Sequence, residues 1–236
     1  MDKVVFITGA AGGIGKAIAE YFAKKNYHLA LVDIEEKSLL EHAKLLRAQY
    51  PSQKKMPPSI FAIDTSDPKQ VKDAVNSLMK EVSNIEVLFN GVGIAKLGGS
   101  SMEYHDFEKI IKVNLMSHFN CIHAIVPIMK KQNSGYIFNV ASRQGKMASA
   151  NLAGYASSKF AVVGLSESIL KELIGTEIKV TALCPSYTDT PMMDLLDFPK
   201  EEMLSPEDIV KTVDYLLSLS APACIKEILI ELRKLV

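Results

Sequence analysis

Short apolar runs alternate with longer segments of helical period along the chain, and no other feature of the sequence restricts the fold as strongly. Strands that alternate with helices form right-handed βαβ units, in which helices cover both faces of a parallel sheet. The alternation therefore predicts an α/β fold with a doubly wound parallel sheet of about seven strands. The runs are Val4–Thr8, His28–Asp33, Ser59–Asp64, Glu86–Asn90, Gly135–Val140, Lys179–Cys184 and Ile225–Ile230. The helical segments are Gly13–Lys25, Glu36–Tyr50, Pro68–Val82, Tyr104–Lys131 and Asn151–Gly175.

Length and charge narrow the class of protein. With 236 residues and no linker or repeat, residues 1–236 are predicted to form one domain. Lys+Arg and Asp+Glu number 27 each, and this balance argues against a nucleic-acid or membrane partner. Cys121, Cys184 and Cys224 offer no disulfide framework, and no signal-peptide core is present, so we expect a reduced, cytoplasmic protein. The prolines and lysines of Tyr50–Pro58 predict a solvated loop.

Glycines are concentrated after the first predicted strand. Four of the 13 glycines fall between Gly9 and Gly15, where the first helix begins. Glycines there let the backbone approach a pyrophosphate, and the N–H groups and positive dipole end of the helix then face the anion. We therefore predict dinucleotide binding by Gly9, Gly13, Ile14 and Gly15. The alternative is a tight strand-to-helix turn without a ligand.

The second predicted strand ends at Asp33, 18 residues after Gly15. A carboxylate at that point accepts hydrogen bonds from both hydroxyls of an adenosine ribose and repels a 2′-phosphate. Neither Gly12 in the loop nor the segment after Asp33, Ile34–Glu36, offers a positive charge to such a phosphate. Both features favour NAD over NADP, although a strand-end or helix-capping carboxylate would leave the same signature.

A tyrosine and a lysine carry the strongest chemical signal. Tyr155 and Lys159 are spaced i, i+4, so they share one face of a predicted helix. A free tyrosine has a pKa near 10, and a nearby ammonium would lower that pKa by stabilising the phenolate. Ser142, at the end of a predicted strand, offers a hydroxyl to hold a substrate oxygen. Asn114 occupies an interior helix position that asparagine does not favour. Each residue alone is weak evidence, because Tyr and Lys are common on helices.

The motif T-G-x-x-x-G-I-G, taken with these four residues in order, resembles the classical short-chain dehydrogenase/reductase family over nearly the whole chain. The resemblance implies a Rossmann-like fold and a catalytic tetrad of Asn114, Ser142, Tyr155 and Lys159. Asn90–Gly93 matches the family's N-N-A-G at its first and last positions only. Pro185-Ser186 stands where the family has P-G.

Further contacts follow from the resemblance. Asp64 matches a position that bonds the adenine amino group, with an ordinary loop aspartate as the alternative. Thr190 is implied to contact the nicotinamide carboxamide. The remaining implied cofactor contacts are Thr65, Asn90, Gly91, Pro185 and Thr188, together with Tyr155 and Lys159. Helices bearing Asn114 and Tyr155 would form a homodimer or homotetramer through Phe119, Ile122, Ile125, Val162, Leu165 and Ile169.

The function predicted is hydride transfer between a nicotinamide cofactor, with NAD preferred, and a small secondary alcohol or ketone. The alternatives are an NADPH-dependent 3-oxoacyl-thioester ketoreductase and a non-catalytic dinucleotide-binding sensor. Lys96, Arg143 and Lys146 are potential anchors for an acidic substrate. No metal is expected, since His118, Cys121 and His123 do not share one helix face. Residues 187–204 are predicted to form a lid or, alternatively, core packing through Met192, Met193, Leu195, Leu196, Phe198 and Met203.

Overall fold

The computed structural model describes residues 3–195 and 198–235. Its centre is a seven-stranded sheet of order β3-β2-β1-β4-β5-β6-β7 in which all neighbours are parallel. The strands are β1 (Val4–Thr8), β2 (His28–Asp33), β3 (Ser59–Ala62), β4 (Val87–Asn90), β5 (Gly135–Val140), β6 (Ile178–Pro185) and β7 (Glu227–Ile230). The predicted doubly wound α/β fold is confirmed.

Eight α-helices accompany the sheet in the part of the chain that the structure describes. They are α1 (Gly13–Lys24), α2 (Glu36–Gln49), α3 (Pro51–Lys55), α4 (Pro68–Leu78), α5 (Tyr104–Ile111), α6 (Ser117–Gln132), α7 (Ala153–Glu172) and α8 (Pro206–Ser218). A π-helical turn, Lys112–Met116, joins α5 to α6. Ser205 begins α8 with a capping box that includes the Asp208 carboxylate, which satisfies N–H groups the helix leaves free.

Burial on both faces explains why the strands are continuously apolar. On β1, Val5 and Ile7 belong to one core with α1, α2 and α8, whereas Val4 and Phe6 belong to another with α4 and α6. Successive strand residues point to opposite faces, so a sheet covered on both sides needs an apolar residue at every position. Helices thus lie on both faces, as the alternation predicts.

The solvated loop predicted for Tyr50–Pro58 is wrong. Pro51–Lys55 forms the short helix α3, and the Gln53 side chain of this helix is buried. The Gln53 amide Nε2 donates to the Tyr27 carbonyl at 2.8 Å, which satisfies a backbone group at the edge of the core. Proline is accepted at the first position of a helix, so its presence did not exclude one here.

The strand order places the functional groups. The chain turns outward in one direction from β1 to β3 and in the other from β4 to β7, so a crevice opens at the carboxyl ends of β1 and β4. Thr8, Asp33, Asn90 and Val140 end their strands at this edge. Among the described residues, no helix is long and apolar enough to cross a membrane.

Candidate active site

One cavity of about 720 Å³ occupies the crevice and joins the glycine loop to the tyrosine and lysine. It brings together sequence segments that lie far apart in the chain. The predicted site residues that line it are Gly9, Gly13, Ile14, Gly15, Asp33, Asp64, Thr65, Gly91, Ser142, Tyr155, Lys159, Pro185, Thr188 and Thr190. Two predicted residues, Asn90 and Asn114, do not line it.

The glycine loop between β1 and α1 is too tight for side chains. Gly9 has a φ of 70°, and a Cβ there would lie 2.7 Å from the Gly91 carbonyl oxygen. A Cβ on Gly15 would lie only 2.0 Å from the Gly9 carbonyl oxygen. Helix α1 begins without a side-chain cap at Gly12, so its first N–H groups remain available to an anion. These features fit a pyrophosphate.

Asp33 is held in a fixed position beside this loop. Its Oδ2 accepts from the Ala11 N–H at 3.0 Å, and its Oδ1 accepts from the N–H groups of Ile34 at 2.8 Å and Glu35 at 3.2 Å. The carboxylate therefore acts as a backbone cap and also lines the cavity. No lysine or arginine borders the cavity next to Asp33 among the described residues; its neighbours there are Ile34, Glu35 and Ser38.

Asp64 lies beyond the end of β3, in a turn. Its Oδ1 accepts from the Ser66 N–H at 2.8 Å and from the Ser66 hydroxyl at 2.6 Å. This is the Asx-turn geometry of an ordinary loop aspartate, but the residue also reaches the cavity. The neighbouring Thr65 carbonyl accepts from the Asn120 amide at 3.0 Å, which fixes the turn against α6.

Asn90 is buried away from the cavity. Its Nδ2 donates to Asn139 Oδ1 at 2.9 Å, and Asn139 Nδ2 donates to the Ser166 hydroxyl at 2.9 Å. This polar chain ties β4 to β5 and α7. The Nδ2 group of Asn90 is thus engaged within the sheet and the residue does not line the cavity, so its contact with a cofactor stays a prediction. Gly91, the next residue, does reach the cavity.

Tyr155, Lys159 and Ser142 meet at the inner end of the cavity. Lys159 Nζ lies 5.6 Å from the Tyr155 ring centroid and donates to the Val140 carbonyl at 2.8 Å. Burial raises the pKa of Tyr155, and a hydrogen bond with Ser142 opposes that rise. Burial also lowers the pKa of Lys159 to about 8. The pKa of Tyr155 is therefore raised in this structure, whereas the sequence predicted that Lys159 would lower it.

Asn114 acts from behind this cluster, in the π-helical turn. Its Oδ1 accepts from the Ile94 N–H at 2.7 Å, and its Nδ2 donates to the Ile94 carbonyl and the Ser158 hydroxyl, both at 2.9 Å. A π-turn is rare and often marks a functional position. The asparagine thereby fastens the loop after β4 to α7 beside Lys159.

Two residues of this cluster have no counterpart in the sequence predictions. Ser158 donates to the Tyr155 carbonyl at 2.7 Å while it accepts from Asn114. His118 is fully buried, and burial together with the Lys159 charge lowers its pKa to about 3. Ser158 could have been suspected from its place next to Lys159. Among the described residues, no group of three His, Cys, Asp or Glu side chains could hold a metal ion.

The potential anchors for an acidic substrate are all paired within the protein. Lys96 bonds to Asp106, Arg143 Nε donates to Glu231 Oε2 at 3.0 Å, and Lys146 Nζ lies 2.9 Å from both Glu227 oxygens. Lys146 also does not line the cavity. The sequence could not indicate these pairs, because up to 88 residues separate the partners.

The segment predicted as a lid borders the cavity through Met192 and Met193. It contains two 3₁₀ turns, Pro191–Leu195 and Lys200–Glu202. Phe198 packs edge-on against Tyr187, with ring centroids 4.9 Å apart. Leu196 lies outside the described residues.

The surface proposed for subunit contact differs in part from the prediction. Ile122, Ile125 and Val162 are buried in the core and cannot form an outer face. They belong to the sheet-facing sides of α6 and α7, which the helical period alone did not distinguish from the outer sides. Phe119 is exposed and stacks on His123, with Met116 and Phe160 also exposed.

Comparison with known proteins places these features in context. Residues 3–199 match the family model described as short chain dehydrogenase. The 3-oxoacyl-(acyl-carrier-protein) reductase FabG of Thermotoga maritima is 33% identical over 230 residues, 92% of this chain and 90% of the relative. A 3-ketoacyl-(acyl-carrier-protein) reductase from Brucella melitensis complexed with NADH is 25% identical, with a TM-score of 0.86 over 96% of each chain. The structure of ElxO with NADP bound is also 25% identical, with a TM-score of 0.84 over 97% of this chain and 98% of that one.

Proposed function

We propose, from the premise that this chain belongs to the short chain dehydrogenase family of oxidoreductases, that it interconverts a secondary alcohol and a ketone with NAD. One observation carries the proposal: Ser142, Tyr155 and Lys159 line the same cavity as the glycine loop and Asp33. A cofactor held by the loop would thus have its reactive end beside a hydroxyl pair suited to proton transfer.

Each residue of the site has its own role in the proposed reaction. A bound nicotinamide supplies or accepts the hydride. Tyr155 donates a proton to the carbonyl oxygen in reduction and removes it from the alcohol in oxidation. Ser142 holds the same oxygen, and Lys159 supplies positive charge that favours the phenolate. Asn114 positions the cluster through its hydrogen bonds with the Ile94 backbone and the Ser158 hydroxyl.

The preference for NAD rests on Asp33. Three backbone N–H groups fix its carboxylate at the end of the cavity that is formed by the glycine loop and Asp33, here called the adenosine end. A 2′-phosphate there would meet a like charge that cannot turn away, with Glu35 adding a second one. Known relatives bind either NADH or NADP, so this preference is specific to the residues of this chain.

A second candidate is reduction of a 3-oxoacyl thioester with NADPH. The identity of 33% to a 3-oxoacyl-(acyl-carrier-protein) reductase favours it. Asp33 opposes it, since it disfavours the phosphate of NADPH. The presence of Ser142, Tyr155 and Lys159 in one cavity speaks against a sensor without catalysis.

The proposal includes an assembly and a location. We infer at least a homodimer, formed through the exposed residues Met116, Phe119 and Phe160 on the outer faces of α6, α7 and the π-turn. Sedimentation that shows only a monomer at micromolar concentration would overturn the dimer. A cytoplasmic location remains a prediction.

A panel of secondary alcohols and ketones, each assayed with NAD and NADP in both directions, tests the function. The absorbance of the reduced nicotinamide reports turnover. We expect turnover of a simple alcohol–ketone pair with NAD. Turnover of 3-oxoacyl thioesters alone, with NADPH, would support the second candidate instead.

A further inference from the structure

The end of the cavity that contains Ser142, Tyr155 and Lys159, here called the substrate end, has an uneven distribution of charge. Apart from Lys159, three cationic side chains line it: Lys96, Lys109 and Arg143. The carboxylates that pair with two of them, Asp106 and Glu231, do not line it. The other lining residues at this end are mostly apolar, and include Ile94, Ala95, Leu97, Val113, Leu152 and Met193. Each paired cation is therefore neutralised from outside the space that a substrate would fill.

The Arg143–Glu231 pair is the better shielded of the two. Arg143 Nε donates to Glu231 Oε2 at 3.0 Å, and the side chains are only 14% and 13% exposed. Arg143 Nη2 contacts Met147 Sδ at 2.9 Å, and Glu231 Oε1 accepts from the Leu232 N–H at 3.2 Å. Arg143 directly follows Ser142 in the chain, and both residues line the cavity.

The pairing of these cations determines whether a negatively charged substrate can bind in the cavity. A carboxylate that leaves water for this cavity loses hydration, and only an unpaired cation would compensate for that loss. Glu231 already neutralises the charge of Arg143, and Asp106 neutralises that of Lys96. The charge of Lys159 is assigned to the Tyr155 phenolate in the proposed function. Lys109 is exposed and lies close enough to Asp106 to lower the pKa of that carboxylate, so water and Asp106 both screen its charge.

We propose that Glu231 is a specificity-determining residue: by neutralising Arg143, it makes this site select neutral, largely apolar alcohols and ketones and reject carboxylates. The inference rests on the proposed oxidoreductase function and adds the class of its substrate. It reverses the expectation that Arg143 anchors an acid. Glu231 does so without lining the cavity, through its ion pair with Arg143.

The test compares two ketones of nearly the same size and shape, the neutral para-acetylbenzamide and the anionic para-acetylbenzoate, with NADH as reductant. For the wild-type protein we expect kcat/KM to be at least about tenfold higher for the amide. Glu231→Gln keeps the size of the side chain and an acceptor oxygen but removes its charge, so the ratio should fall by about tenfold. Glu227→Gln is the matched control, because its partner Lys146 does not line the cavity, and it should leave the ratio unchanged.

A binding measurement separates this inference from the proposed function. Calorimetric titration of both compounds into the complex of protein with NADH gives the same ratio without turnover. Turnover of neither ketone nor of any alcohol in the panel, with either cofactor, would overturn the proposed function, and the binding ratio would still decide the role of Glu231. Tighter binding of the benzoate by the wild type, failure of the amide to bind, or an unchanged ratio in folded Glu231→Gln protein would overturn the inference.

Discussion

The two ends of the cavity are built by different means. At the adenosine end, backbone groups do most of the work: glycines leave room for it, free N–H groups face it, and Asp33 is held by three more N–H groups. At the substrate end, Arg143 and Lys96 form part of the wall, and their carboxylate partners Glu231 and Asp106 lie outside the cavity. The backbone-built end comes mainly from two short segments, residues 9–15 and 33–35, whereas the ion pairs of the other end join residues up to 88 positions apart.

The contrast between the two ends indicates which of them can tolerate amino-acid substitutions. A backbone cradle tolerates few substitutions, because an added Cβ meets other backbone atoms that cannot move aside. An ion pair can be changed by altering one partner and leaving the fold in place. We therefore expect substitutions at the adenosine end to impair cofactor binding and substitutions at the substrate end to alter the substrate preference.

The largest effect is expected where the two ends meet, at Tyr155. Tyr155→Phe keeps the ring but deletes the oxygen proposed to move the proton. Turnover should fall by about 10²–10⁴-fold, since positioned proton transfer typically contributes that much, while NAD affinity changes little. Steady-state rates and cofactor titrations measure the two quantities separately. A variant with near wild-type turnover on its best substrate would remove Tyr155 from the mechanism.

The adenosine end can be broken at Gly15. In Gly15→Ala, the new Cβ would lie 2.0 Å from the Gly9 carbonyl oxygen, so the loop or the start of α1 must move. The loss of one hydrogen bond from this loop to a charged pyrophosphate costs about 1.5–3 kcal/mol, so NAD affinity should fall by about 10- to 100-fold. Calorimetric titration with NAD measures the change.

Gly164→Ala in α7 is the matched control for Gly15→Ala. A Cβ at Gly164 meets nothing within 4 Å, so the change should stabilise the helix by about 0.5–1 kcal/mol and leave NAD affinity intact. Equal NAD affinity in both variants would show that the tightness of the loop does not matter for the cofactor.

The fold and the adenosine end could largely be predicted from the sequence, and the reason is local. The alternating apolar runs predict the positions of all seven strands. The glycine loop can be recognised in the sequence because its residues are consecutive and directly follow β1. The family resemblance implied a cofactor contact at Asn90, the last residue of β4, but the sequence could not show that its Nδ2 donates to Asn139, which in turn donates to Ser166. Likewise, the partners of Arg143 and Lys146 depend on tertiary contacts 88 and 81 residues away.

Lys159 lies where the two ends of the cavity meet, and its burial as a charged group destabilises the folded protein. Burial lowers its pKa from 10.5 to about 8, which corresponds to roughly 3 kcal/mol for keeping it charged at neutral pH. Between those pKa values the unfolded chain binds the extra proton, so stability rises with pH across that window. Lys159→Met should therefore stabilise the protein by about 1–2 kcal/mol at pH 7, less than the full amount because the bond to the Val140 carbonyl is lost.

The gain from Lys159→Met should shrink as the pH approaches 10.5, because the wild-type lysine then becomes neutral in both states. Denaturant titrations of both proteins at several pH values measure it. NAD binding and turnover should both weaken in the variant. A variant less stable than the wild type at pH 7 would mean that Lys159 is not strained by burial.

The smallest expected effect concerns the preference for NAD over NADP. The wild type should bind NAD at least about tenfold more tightly than NADP, or roughly 1.4 kcal/mol, because the 2′-phosphate meets the fixed charge of Asp33. Asp33→Asn should bring the two affinities close together, through tighter NADP and weaker NAD binding. Glu35→Gln, a nearby charge removal on an exposed side chain, should change the ratio by less than about threefold because solvent screens that charge. Calorimetric titrations of both cofactors into the three proteins decide the matter: if the wild type binds NADP as tightly as NAD, the adenosine end does not discriminate by charge, and the contrast with the substrate end fails.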